Sequence, residues 1–186
     1  MPPVPPDRAG PGRICHDSRV KSPFEFRVRP ARMADQAALA ELDALAWSAD
    51  SGFPSTMPTG TPDVTFFSAS NPPEAHLVAE LDGRVVGYIR LKPPTHLPEN
   101  GHVMQVQGLA VRPDARRRGV AAGLLDAAEE TLRGRGTRKL TLRVLSTNQA
   151  AICLYERQGF VREGTLLEEF CINGRYVDDV MMAKKL

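Results

Sequence analysis

The sequence predicts an α/β domain of the α+β kind: a mixed, mostly antiparallel sheet with helices on its faces. Three observations carry this. Apolar patterns of strand and helix period follow one another in the order strand, helix, loop, three strands, helix, strand, helix, two strands. Asp82-Gly83 and Asn173-Gly174 each separate two apolar runs, the chemistry of a two-residue hairpin turn. Between the hairpins single strands alternate with helices, which calls for crossover connections and a mixed sheet.

With 186 residues the chain has the size of one domain with a tail, and its 42% hydrophobic content suffices for a core. No apolar run is long enough to span a membrane, and Met1 to Lys21 lacks the apolar stretch of a signal peptide. Cys15, Cys153 and Cys171 are odd in number and widely spaced, which suits neither a disulfide framework nor a zinc site. A reducing cytoplasm is the expected compartment. The net charge of +2 resides in residues 1–24, and residues 25–186 net to zero, which argues against nucleic acid as a partner.

Residues 1–24 hold six prolines and few large apolar groups, so they cannot bury enough surface to offset their ordering entropy. They are expected to form a disordered arm before a domain spanning 25–186. Phe26 and Val28, alternating with Arg27 and Arg29, predict a short strand. Asp35 is placed to cap a helix with apolar positions Ala38, Leu39, Leu42, Leu45 and Ala46. Residues 50–75 read as a long loop with room for one short helix. His76–Leu81 and Arg84–Leu91 form the first hairpin, and Val103–Val111 is the next strand. Val120, Leu124, Leu125, Ala128 and Leu132 follow helical spacing. Leu140, Leu142 and Val144 alternate as a buried strand. Asn148 caps a helix that stops at Gly159, and Leu166–Ile172 with Arg175–Met182 make the second hairpin.

The chemistry concentrates between Gln107 and Leu125. There a strand ends at Val111, a Pro-bearing turn follows, and a loop with Arg116, Arg117, Arg118 and Gly119 opens a helix. A helix start offers unpaired amides and the positive end of a dipole. Successive amides there wrap an anion, Gly119 allows close backbone approach, and Ala121 and Ala122 keep the helix start small. A solvated charge run before an ordinary helix is the competing reading. The segment lacks the Gly-Lys-Ser/Thr of a nucleotide P-loop and the Gly-x-Gly-x-x-Gly of a dinucleotide fold.

Leu109-Ala-Val-Arg-Pro followed by Arg116-Arg-Arg-Gly-Val-Ala resembles the acetyl-CoA motif of GNAT acetyltransferases, with the Arg/Gln-x-x-Gly-x-Gly/Ala signature falling on Arg116, Gly119 and Ala121. Asn148-x-x-Ala151-x-x-Leu154-Tyr155-Glu156-x-x-Gly159-Phe160 is similar to that family's second block. The resemblance covers residues 25–186. It implies helices on both faces of a sheet whose two central parallel strands splay apart around acetyl-CoA, with no metal. It implies that the pantetheine arm pairs with the backbone of Leu109 and Val111. The pyrophosphate would meet the amides of Arg117, Arg118, Gly119, Val120, Ala121 and Ala122. Asn148 and Tyr155, two helical turns apart on one face, would flank the thioester. An amide of Leu109 or Ala110 would polarise the carbonyl, and Tyr155 would be the general acid. A phenol of pKa about 10 is a workable donor to a thiolate of pKa about 8.5.

Many relatives carry a glutamate on the strand before the loop. Here that strand reads His102-Val-Met-Gln-Val-Gln-Gly. Gln105 or Gln107 holding a water, His102 and Glu80 are the candidate proton acceptors, each with a structural role as its alternative. Cys153 reads as a small core residue, Cys171 as a strand residue and Trp47 as packing. His16, His76 and His96 show no partner pattern. Asp178 and Asp179 point to opposite faces of the last strand, one of them toward an acceptor or both along a solvated edge. The function implied is transfer of acetyl from acetyl-CoA to a primary amine of a small molecule, an amino acid or a protein amino terminus, with a homodimer as a mild expectation. A catalytically silent acyl-CoA sensor is the alternative.

Overall fold

Cross-strand pairing brings the scattered apolar runs into one sheet. The computed structural model describes residues 25–46 and 65–186. The arm at 1–24, Trp47 and residues 50–64 of the long loop lie outside the described residues. Among the described residues there are seven strands: β1 (Arg27–Pro30), β2 (His76–Leu81), β3 (Arg84–Lys92), β4 (Val103–Val111), β5 (Lys139–Leu145), β6 (Val161–Ile172) and β7 (Arg175–Lys185). Three α-helices join them: α1 (Gln36–Ala46), α2 (Val120–Gly134) and α3 (Gln149–Arg157). The strand order is β1-β2-β3-β4-β5-β7-β6. Every neighbouring pair is antiparallel except β4 with β5. The fold is α/β with a mixed sheet, as the pattern of hairpins and crossovers implied.

Both hairpin turns place their Asx residue and glycine at positive φ, 51° and 77° for Asp82 and Gly83, 51° and 75° for Asn173 and Gly174. Glycine at the second position meets the left-handed geometry of such turns without steric penalty. Gly159 ends α3 at φ 85°, where a Cβ would be strained.

Two cores flank the sheet. On one face, Ile89, Val106, Leu142, Val144 and Val180 pack against Leu124, Leu125 and Leu132 of α2 and against Ile152 and Tyr155 of α3. On the other, Val78, Val85 and Tyr88 pack against Leu39 and Leu42 of α1, with Phe67. His76 sits in this second layer among Phe66, Phe67 and Tyr88, ring centroids 5.3 to 5.9 Å away, and is 1% exposed.

Two expectations change, and a third is met in part. Asp35 does not cap α1. A 3-10 turn, Met33–Asp35, leads straight into the helix, and the Asp35 carboxylate accepts from the Arg32 amide at 2.8 Å and from both terminal nitrogens of Arg29 at 2.8 Å. The strand expected from Leu166 starts at Val161, because its polar first half lies on an outer strand with water on both faces. Of the 50–75 loop, the described part holds a bridge between Ser68 and Asn71 and a 3-10 turn, Pro73–Ala75. Among the described residues no helix is long and apolar enough to cross a membrane.

Candidate active site

The parallel pair that should splay does so. β4 and β5 pair only from Val103 with Lys139 to Val106 with Leu142. Past that point β5 continues on β7 alone, while β4 runs on beside β3 to Val111. The β5-facing side of β4 from Gln107 onward therefore has no strand partner, so its backbone groups there require another one. Gln107 is itself the extra residue of a bulge, since Arg90 pairs with Gly108 but Leu91 with Val106. The bulge turns β4 away at the point where the gap opens.

A cavity of about 450 Å³ lies at this gap and is lined by residues from both faces of the sheet. Its wall on the α2/α3 side includes Val106, Val144, Asn148, Ala151 and Tyr155. Cross-strand partners share a face, and the register puts Arg90 with Gly108, Arg143 with Met181 and Leu145 with Asp179 on the opposite side. Arg90, Gln105, Arg143 and Asp179 thus line the cavity from the face that carries α1.

On the first side, α3 begins where β5 ends. Asn148 caps it, its Oδ1 accepting from the Ala151 amide at 3.1 Å. This holds Asn148 and Ala151 in the cavity wall and sets the helix that carries Tyr155. The Tyr155 ring stands edge-on to Phe160 at 5.8 Å, and the residue is 8% exposed. Burial disfavours the phenolate and pushes the phenol up to about 12.

The segment expected to bind an anion lies at the open end of β4. Arg117 and Gly119 take left-handed φ values of 59° and 79°. The first bond of α2 runs from the Gly123 amide to the Gly119 carbonyl at 2.9 Å, which leaves the amides of Val120, Ala121 and Ala122 at the free helix end. Val120 contributes only its amide, because its side chain is 2% exposed and packs in the core. Gly87 lets the helix lie this close: a Cβ there would stand 3.1 Å from Ala110 O and from Val120 Cγ1. Arg116 turns back instead of facing the loop. Its Nε donates to Val111 O and its Nη2 to Ala46 O, both at 3.3 Å, tying β4 to the end of α1. Arg117 is exposed, and Arg118 lines a second cleft with Asp82, Arg84 and Asp114.

On the second side, Asp179 is the member of the Asp178–Asp179 pair that lines the cavity. It is 3% exposed, and its Oδ2 accepts from Arg143 Nε. Arg143 Nη2 also donates to Glu169 at 2.9 Å. Asp178 points the other way and accepts from the Glu168 amide at 2.8 Å, so the pair is not a solvated edge. The proton-acceptor candidates separate clearly. Gln105 and Gln107 line the cavity and bond each other at 3.1 Å. Glu80 is engaged by Arg29 at 2.8 Å on the β1 side of the sheet. His102 is exposed in the turn before β4, outside the cavity wall. Cys153 is half-buried rather than a core residue, and Cys171 is exposed on β6. Among the described residues no group of three or more His, Cys, Asp or Glu is placed to hold a metal ion. The signal that could have told Asp179 from Asp178 is an acid alternating with the buried Val180 and Met182, but only strand pairing reveals what it faces.

The sequence profile of the acetyltransferase (GNAT) family matches residues 40–160. An N-alpha-acetyltransferase of Sulfurisphaera tokodaii is 30% identical over 180 residues, covering 91% of this chain and 98% of the relative. A crystal structure of a ribosomal-protein-alanine N-acetyltransferase from Brucella melitensis superimposes with a TM-score of 0.70 at 27% identity, over 86% of this chain and 99% of that one. A putative acetyltransferase from Salmonella typhimurium, solved with its cofactor acetyl-CoA, shares the fold with a TM-score of 0.71 at 23% identity, over 87% of this chain and 94% of that one. The chain belongs to the GNAT acetyltransferase family and is an acyltransferase.

Proposed function

We propose that this protein transfers an acetyl group from acetyl-CoA directly to a primary amine, with residues 25–186 as the catalytic domain and the cytoplasm as its compartment. The observation that carries the reading is the gap through the sheet, with Tyr155 on one side and Asp179 on the other. The residues present fit the cosubstrate. The unpaired side of β4 offers backbone groups to a pantetheine amide chain, and the free end of α2 with its left-handed turn offers amides to a pyrophosphate. When bound, acetyl-CoA supplies an activated thioester whose carbon is open to an amine.

The chain's own groups then divide the work. The amide of Leu109 or Ala110 donates to the thioester oxygen, where charge develops. Asp179, the buried carboxylate on the acceptor side, takes a proton from the incoming ammonium. Tyr155 holds its proton at Oη across the neutral range and releases it to the departing sulfur. Over one cycle an alkylammonium and a thioester give an amide, a thiol and one proton to solvent, so the phenol is restored.

Purified full-length protein incubated with acetyl-CoA and a panel of primary amines is expected to release free thiol with at least one of them. Acetyl-CoA binding without thiol release for any amine contradicts the reading and favours a sensor.

A further inference from the structure

Resting on the acetyltransferase reading, we propose that the acceptor is an amine carrying a carboxylate, its ammonium set beside Asp179 and its carboxylate on Arg90.

The inference starts from how the protein treats its arginines. Arg29 and Arg112, both withdrawn from solvent, each pair with two carboxylates, Asp35 and Glu80 for the first, Glu41 and Asp114 for the second. Arg143 in the cavity wall pairs with Asp179 and Glu169. Arg90 is different. It is half-buried and lines the cavity, yet its partners are neutral: Nη1 donates to Asn71 Oδ1 at 3.2 Å and Nη2 to Gln107 O at 3.0 Å. Its Nε is buried and bonded to nothing among the described residues. No carboxylate among the described residues pairs with it.

A half-buried guanidinium with a buried, unbonded Nε and only neutral acceptors lacks the counter-ion that makes such a site favourable. Arg90 is nevertheless held in place. The amide that positions it is pinned in turn, since Asn71 Nδ2 donates to Phe66 O at 2.7 Å. The Gln107 carbonyl belongs to the bulge that opens the gap. A cation fixed by second-layer contacts and left without an acid is an anion site prepared in advance.

The charge of the whole cavity selects the anion. Across from Arg90, Arg143 is already neutralised by two acids, and Asp179 uses one oxygen for it. Its other oxygen accepts no hydrogen bond from a described residue. The acceptor side thus presents one uncompensated cation and one carboxylate oxygen with spare capacity. A molecule with one ammonium and one carboxylate complements both. A phosphate-bearing amine carries a second negative charge that the single uncompensated cation leaves unmatched.

The test compares glycine, aspartate and glutamate with glycinamide and the α-amides of the two acids, using thiol release with full-length protein. Wild type is expected to favour each acid over its amide by about tenfold to a hundredfold in kcat/KM, the worth of a charge-assisted contact. Arg90→Gln is expected to erase that margin and Arg90→Lys to restore part of it. Independently of turnover, calorimetry in the presence of CoA is expected to detect N-acetylglutamate or N-acetylaspartate on wild type and not on Arg90→Gln. Equal or better use of the amides, no reaction with any of the three acids, or an unchanged preference in a folded Arg90→Gln overturns the proposal. If Arg90→Gln does not fold, the wild-type acid-to-amide ratio decides alone. Thiol release with the whole amine panel separates the two readings: no release with any amine removes the proposed function, whereas release with some amine together with any failure above removes only the carboxylate site.

Discussion

Arg143 and Asp179 are diagonal neighbours on adjacent strands, and the arginine holds one oxygen of a carboxylate buried in the wall of the gap. The contact gives the buried carboxylate a cationic partner, and Asp179 lines the cavity. Asp179→Asn preserves the shape and removes the proton acceptor. Steady-state kinetics is expected to show kcat/KM reduced by about 10²-fold or more, as for loss of a general base, with acetyl-CoA affinity unchanged.

Tyr155→Phe keeps the ring against Phe160 and deletes the Oη proton. The expected result is a fall in kcat of about 10²-fold with acetyl-CoA affinity held. A binding-only protein would show no turnover in either form and unchanged acetyl-CoA affinity.

The same phenol makes the fold sensitive to alkali. Its folded pKa of about 12 lies above the ordinary value of about 10. Between these values the unfolded chain has released a proton that the folded chain retains, so stability falls as pH rises from about 10 to about 12. The span corresponds to about 3 kcal/mol. Tyr88, raised mainly by burial, acts in the same direction. Chemical denaturation at pH 9 and pH 11.5 is expected to show a smaller loss for Tyr155→Phe than for wild type.

His76 produces the opposite dependence. Burial, helped by the Arg90 charge, lowers its pKa, and its Nε2 is buried without a partner. The folded protein therefore resists protonation that the unfolded chain accepts below about pH 6.5. Stability is full above that value and declines as pH falls below it. Melting curves at pH 7.5 and 5.5 are expected to separate for wild type and to draw together for His76→Phe.

Gly87 tests whether the placement of α2 governs binding. A valine at this position meets Ala110 O, Val120 Cγ1 and Leu124 Cδ1, all within 3.2 Å of the first added atom. Overpacking of this kind costs about 1–3 kcal/mol and moves the helix start from the end of β4. Gly87→Val is expected to lower the melting temperature and weaken acetyl-CoA binding while leaving every proposed contact residue intact.

Much of this arrangement was legible in the sequence where local chemistry decides it. Asp82-Gly83 and Asn173-Gly174 dictate their turns, Asn148 offers the cap that α3 uses, and Gly159 stops that helix. The strand-loop-helix around Gly119 was readable because a left-handed residue before a helix start leaves a glycine in a recognisable place. What escaped depends on pairs distant in the chain. Asp35 looks like a cap until Arg29, on the preceding strand, claims its carboxylate. Arg116 looks like an anion ligand until Ala46 and Val111 offer it carbonyls. Asp179, Arg143 and Arg90 sit on three different strands, and only the register places them around one cavity.

The central claim is that acetyl-CoA lies with its pyrophosphate on the start of α2. Its most direct test is calorimetric titration of acetyl-CoA into wild type and Gly119→Glu, with melting curves to establish that both are folded. A glutamate there sets an anion, and a strained backbone at φ 79°, where the pyrophosphate belongs. The account expects micromolar binding to wild type and none to the folded variant. No binding to wild type, or equal binding to both, contradicts it.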